Sequence, residues 1–337
     1  MAQLFTHGYA VIIGVGADLP VTVDDATAVA DLLRAPTRCA YPPEQVQLLV
    51  GKQARRAHIL AALDKLATQT KNDPDATAVV YFSGHGIKTP DFNLMPFGYD
   101  LRNLDSTTIT GRLFTEKLRA IQTSKLLVLL DCCHAGGQAD AKIATLPKAP
   151  LPTDVLTEFK RSSGRVIIAS SRQDEKSYTG KPYSVFTTAL LEGLAGYGAF
   201  EKDGYARVLD LALYVGRMVP NRMKDKQHPI LKVANLEDNF ALAYYAAGSR
   251  HPKRLPYNEP NSTSILISRE TSLQTRQLAT WRRMLDNRIE AYWLMEERSS
   301  EFVEYQNVPL QLIRNLRRTK EQIADLREKL GLPEVVK

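Results

Sequence analysis

The stretch Val79-Val80-Tyr81-Phe82-Ser83-Gly84-His85-Gly86 places β-branched and aromatic residues directly ahead of a polar, glycine-flanked turn. A short apolar run of this make-up reads as a buried strand, with Ser83 and His85 at its carboxyl end. The same arrangement recurs in Leu127-Val128-Leu129-Leu130-Asp131-Cys132-Cys133-His134-Ala135-Gly136-Gly137. Three further runs, Tyr9–Val15, Val46–Val50 and Val166–Ala169, read as strands; the two quoted stretches contribute Ala78–Phe82 and Leu126–Leu130. Amphipathic segments separate them: Asp25–Leu33, Arg55–Ala67, Phe114–Ile121, Ser184–Leu194 and Leu209–Met218. Strands alternating with helices predict an α/β fold with a mostly parallel sheet flanked by helices. Two segments, Ile87–Thr108 and Ala135–Ser163, read as long exposed loops.

The rhythm ends near residue 247. Residues 248–271 are rich in Pro, Asn and Ser and read as a linker. Residues 272–337 read as a helical hairpin. Leu278, Trp281, Leu285, Ile289 and Tyr292 mark its first helix, and Pro309 opens a second in which Leu316, Ile323 and Leu330 recur every seven residues. The organisation is thus 1–247, 248–271 and 272–337.

The bulk numbers remove several classes of function. The chain has 337 residues and is 44% hydrophobic, enough to build a real core. No apolar run reaches the roughly 18 residues of a membrane span, and the first apolar stretch reads as a strand rather than a signal peptide. A cytoplasmic location without membrane association is expected. The net charge of +7 is spread along the chain without aromatic interleaving, so nucleic acid is not an expected partner. Three cysteines, Cys39, Cys132 and Cys133, make neither a disulfide framework nor a zinc site. Cys39 reads as core filler.

Chemistry gathers at the two strand ends. In open α/β sheets, sites collect at the carboxyl ends of the strands. If the two strands are neighbours, an imidazole from one turn comes within reach of a thiol from the other, as a cysteine nucleophile requires. Backbone N–H groups at Gly84 and Cys133 are candidates for an oxyanion hole.

Together YFSGHG and, with its second cysteine 48 residues after the histidine, DCCHAGG resemble the signature of the caspase–metacaspase superfamily. GYAVIIGVG, Asp25-Ala26, Asn93-Leu94-Met95-Pro96, Ile168-Ala169-Ser170-Ser171 and Ser184-Val185-Phe186-Thr187 resemble its other segments, so the likeness spans about residues 8–245. The resemblance implies a cysteine endopeptidase of caspase–hemoglobinase fold with Cys133 as nucleophile and His85 as base partner. The QACxG signature of animal caspases is absent, which points to the metacaspase and bacterial orthocaspase branches. There, two aspartates bind Arg or Lys at P1; Asp131 and Asp25 hold those places here, with Asp24 as the neighbouring alternative and Ser83 at a further pocket position.

Protein or peptide substrates are implied. Lys142, Lys148, Lys160 and Arg161 lie where the family separates its two halves and are candidate self-cleavage sites. No cofactor is implied for the chemistry. Some metacaspases need calcium; Asp100 and Asp105 do not make an EF-hand loop, and the calcium requirement stays open. The helical tail resembles adaptor segments of bacterial conflict and signalling effectors, which implies an activating sensor or partner protein. Two rival readings stand beside this one: an Asp-specific caspase-like protease, and a catalytically silent caspase-fold adaptor.

Overall fold

The computed structural model describes residues 4–88, 92–132, 164–172, 175, 178, 180–255, 288, 292, 295 and 309–329. The chain forms two compact units, 1–257 and 258–337.

The first unit is built on a sheet whose main path runs β2-β1-β3-β6-β7-β9. Its strands are β1 (Gly8–Gly14), β2 (Val46–Val50), β3 (Thr77–Lys88), β6 (Lys125–Cys132), β7 (Arg165–Ala169) and β9 (Ile230–Ala234). All neighbours on this path are parallel except β7 and β9, which are antiparallel. Two short strands, β4 (Phe92–Met95) and β5 (Ile109–Thr110), extend the sheet off β3, and β8 (Tyr205–Arg207) pairs separately with β10 (Ala241–Tyr244).

Helices cover both faces, so the central strands are buried on both sides, as parallel strands must be. Ile12, Tyr81, Leu129 and Ile168 pack with α1 (Val21–Arg34), α5 (Val185–Leu194) and α6 (Val208–Met223). Residues of the opposite parity, Ile13, Phe82, Leu130 and Ile167, pack with α2 (Arg56–Lys71) and α4 (Gly111–Ala120). Gly14 brings α1 close to the sheet: a Cβ there would stand 2.2 Å from the carbonyl oxygen of Thr22 and 2.7 Å from Cβ of Ala26. The absence of a side chain at the end of β1 therefore sets how near α1, and the aspartate it carries, comes to the strand ends.

The segment 87–108 is not the continuous loop that its Pro, Asp and Asn content suggests. β3 runs on to Lys88, β4 pairs back antiparallel with His85 opposite Met95, and the short helix α3 (Leu104–Thr107) follows. The hydrogen bonds of this hairpin, not local propensity, hold Phe92–Met95 extended. The stretch 135–163 lies outside the described residues.

Farther along the first unit, the buried Arg38 donates to the carbonyls of Lys253 and Arg254, each at 2.6 Å. In the second unit, α7 (Leu310–Lys329) follows Pro309 and turns Thr319 and Leu326 inward. Of the expected first tail helix, Arg288, Tyr292 and Met295 are described and are helical. No helix among the described residues is long and apolar enough to cross a membrane.

Candidate active site

Register brings the two motif strands together. In the parallel pairing of β3 with β6, Ser83 is opposite Asp131 and Gly84 is opposite Cys132; on the other side of β3, Ser83 is opposite Gly14. The carboxyl ends of β1, β3 and β6 therefore finish side by side, with neighbouring strands about 4.8 Å apart.

His85 is almost fully buried, at 3% exposure. Its Nε2 donates to Oδ2 of Asp18 at 2.8 Å, since a carboxylate can only accept. In the neutral ring, the proton on Nε2 leaves the lone pair on Nδ1. Nδ1 is buried and meets no hydrogen-bonding partner among the described residues. An imidazole oriented in this way has one nitrogen free for a proton in transit.

Asp25 projects from α1 into the same region. It is buried at 1% exposure, whereas Asp24 faces outward. Oδ1 of Asp25 accepts from the backbone N–H of Ser184 at 2.9 Å, while its Oδ2 is buried without a partner among the described residues. Asp131, also buried, accepts through Oδ2 from the Ser184 hydroxyl at 2.6 Å and from the Thr187 hydroxyl at 3.2 Å. Ser184 caps α5, its hydroxyl accepting from the N–H of Thr187. One serine thus ties together two carboxylates, one from α1 and one from the end of β6.

The electrostatic consequence is direct. Burial first, then the negative charge of Asp131, holds the Asp25 carboxyl far above the ordinary carboxylate range, at about 8. Burial and the same pair of aspartates push the phenol of Tyr81, at the floor of the cluster, well above its usual value; it is bonded to the Thr187 hydroxyl at 2.7 Å. Asp25 therefore keeps its proton near neutral pH.

This proton gives a testable dependence of stability on pH. The folded-state pKa of Asp25 lies above its unfolded value of about 3.9. Its contribution to stability is full below about pH 4 and falls as pH rises, vanishing above about 8. Asp25→Asn, which keeps the acceptor for Ser184 and cannot ionise, is expected to gain Tm relative to the native chain from pH 5 to about pH 8 and to level off above it. A Tm difference that stays flat across that range counts against a carboxyl that remains protonated in the fold.

The thiols differ in character. Cys132 is partly exposed at the end of β6, and burial together with the adjacent Asp131 charge pushes its thiol well above the ordinary range. It is poorly suited to form a thiolate. Cys39 is fully buried, its thiol pushed up to about 12 by burial, and it sits in the core. At Gly84, a Cβ would meet Cγ2 of Val15 at 2.7 Å, so packing against β1 by itself calls for glycine there. Cys133, His134 and the basic residues Lys142, Lys148, Lys160 and Arg161 lie outside the described residues.

Comparison with known proteins meets this geometry at the family level. The family model of the caspase domain matches residues 7–241. The chain belongs to the caspase family. No curated protein matches the sequence. Among solved structures, the protein GSU0716 from Geobacter sulfurreducens aligns with a TM-score of 0.47 at 15% identity, covering 72% of this chain and 98% of that one. The matched caspase domain takes in β1 to β9, and with them every sheet strand end described above.

Within the caspase domain, Ser83 and Asp131 face each other at the carboxyl ends of β3 and β6, Ser184 links Asp131 to Asp25, and His85 stands two residues beyond Ser83 on β3. Asp18, Ser184 and Thr187 are the residues that motif reading missed as site members. Ser184 carried a signal, lying in a segment that resembles the family and starting a helix. Asp18 carried none beyond its place in a Gly-Ala-Asp turn. Among the described residues no cluster of His, Cys, Asp and Glu has the makings of a metal site.

Proposed function

We propose that this protein is a cysteine endopeptidase that cleaves polypeptides after Arg or Lys, with Cys133 as nucleophile and His85 as its acid–base partner. The supporting observation is the convergence of an oriented imidazole and a buried pair of carboxylates at the end of β6, beside Cys132. Cys133 is the next residue in the chain, about 3.8 Å from Cys132 between Cα atoms. It shares the sequence parity of Leu127, Leu129 and Asp131.

In this reading Nδ1 of His85 takes the proton of the Cys133 thiol as sulfur attacks the scissile carbonyl. Backbone N–H groups at Gly84 and Cys133 hold the developing oxyanion. Collapse expels the amine, which leaves with the proton from His85, and a thioester acyl-enzyme remains. Water, deprotonated by His85, attacks the thioester and returns the free thiol. The chemistry needs no cofactor.

Specificity follows from charge. A Lys or Arg side chain entering beside Asp25 and Asp131 takes the place of the Asp25 proton, which passes to water, and pairs with Oδ2 of Asp25, which has no partner among the described residues. A P1 aspartate would add a third carboxylate to the same buried space, which argues against an Asp-specific enzyme. Ser83, opposite Asp131 in the sheet, lines the approach. The same preference would accept Lys142, Lys148, Lys160 and Arg161 for self-processing, and the C-terminal helices would receive an activating partner. The test is a panel of fluorogenic peptides differing only at P1. Turnover of the Arg and Lys members, with the Asp member silent, is the expected result. Preference for Asp, or hydrolysis unaffected by Cys133→Ala, would end the reading.

A further inference from the structure

We propose that Asp18 is the positioning residue of the catalytic pair: its carboxylate fixes the tautomer and the orientation of His85, leaving Nδ1 as the nitrogen that takes the thiol proton. The proposal rests on the peptidase reading above and extends it from a dyad to a three-residue relay.

The contact is a 2.8 Å hydrogen bond between Oδ2 of Asp18 and Nε2 of His85. Because a carboxylate accepts only, it selects the Nε2-protonated ring and leaves Nδ1 as the basic atom. A histidine present only for packing would be expected to satisfy both ring nitrogens, since buried polar atoms are rarely left unpaired. Here Nε2 is engaged and Nδ1 is buried without a partner among the described residues. The pair is asymmetric in exposure as well. The imidazole is 3% exposed and the carboxylate 26%, so Asp18 keeps contact with water while the ring does not.

The turn that carries Asp18 is held in place. The N–H of Val15 donates to the carbonyl of Ser83 at 3.0 Å, joining the turn to β3 two residues before His85. The N–H of Gly16 donates to Oγ1 of Thr22 at 2.7 Å, and that hydroxyl donates to the carbonyl of Leu19 at 2.8 Å. Gly16 and Ala17 take positive φ values of 70° and 57°. A left-handed alanine is costly and persists where its surroundings enforce it. The reward is an Asp18 side chain aimed back at β3. The turn leads directly into α1, so one continuous segment orients the base through Asp18 and supplies Asp25 to the specificity pocket.

The test compares Asp18→Ala, Asp18→Asn and Asp18→Glu in the full chain. It reads kcat and KM on an Arg-terminated peptide, and the rate of Cys133 alkylation by iodoacetamide, followed by mass spectrometry. Alkylation needs neither substrate nor an activating partner. Asp18→Ala is expected to lower kcat about 10- to 100-fold, the range for removing the partner that orients a functional histidine. KM should stay within about twofold, alkylation should slow in parallel, and Asp18→Glu should recover part of the loss where Asp18→Ala does not. Native kcat and alkylation rate in Asp18→Ala would overturn the proposal. So would equal losses in Ala and Glu with alkylation unchanged, which is the mark of a merely structural contact. Cys133→Ala and His85→Ala separate the two levels. If both are inactive while Asp18→Ala is not, only the positioning role falls; if either retains native turnover, the peptidase reading falls and takes this role with it.

Discussion

Cys133→Ala is expected to abolish peptide hydrolysis, with kcat/KM falling by a factor on the order of 10⁴ or more, and His85→Ala to fall nearly as far. Residues that act as one unit lose most of their effect when either is removed, so the double variant should be little worse than the singles. Cys132→Ala provides the contrast. Its thiol is pushed well above the ordinary range by burial and by Asp131, and its replacement should leave kcat/KM within about tenfold of the native value. Steady-state kinetics on one Arg-terminated peptide checks all four proteins. An active Cys133→Ala beside an inactive Cys132→Ala would transfer the nucleophile to the wrong neighbour for this account.

The second large effect concerns P1. Asp131→Ala removes a buried carboxylate that accepts from two hydroxyls, and Asp25→Ala removes the one whose Oδ2 is buried with no partner among the described residues. Stripping one partner from a desolvated charge pair costs about 3–5 kcal/mol. At about 1.36 kcal/mol per tenfold, kcat/KM for Arg and Lys peptides should drop roughly 10²- to 10⁴-fold in each variant. The comparison substrate is a peptide with a neutral P1 residue, for which the drop should be much smaller. The ratio of the two, not the absolute rate, carries the inference, because Ser184 and α5 depend on the same carboxylates for their hydrogen bonds. An unchanged ratio would remove Asp25 and Asp131 from the specificity pocket.

How much of this was legible in the sequence depends on the range of the interactions involved. The five core strands stood out because parallel strands buried on both faces are continuous apolar runs; the structure keeps Val46–Val50, shifts Tyr9–Val15 by one residue to Gly8–Gly14 and lengthens the other three, Ala78–Phe82 growing into Thr77–Lys88. The short antiparallel strands were missed. β9, Ile-Leu-Lys-Val-Ala, leaves Leu231 and Val233 substantially exposed at the sheet edge, so its composition says little about its surroundings. β4 is held by its pairing with β3, which no local window reports. The motifs named Ser83, His85, Asp131 and Asp25, but they left Asp25 and Asp24 open. What separates these two is a bond from Asp25 to Ser184, 159 residues away in the chain. Asp18 was invisible for the same reason: its partner lies 67 residues on, and the turn that aims it depends on positive φ at an alanine, which composition does not announce.

The most direct test of the central claim is covalent capture of the nucleophile. The full chain is treated with a peptide bearing a P1 arginine and a thiol-reactive warhead, and the modified residue is located by peptide mass spectrometry. The account predicts one adduct, on Cys133, lost in His85→Ala and suppressed in Asp131→Ala. An adduct on Cys132, or labelling of Cys133 that ignores both His85 and the P1 charge, would contradict it.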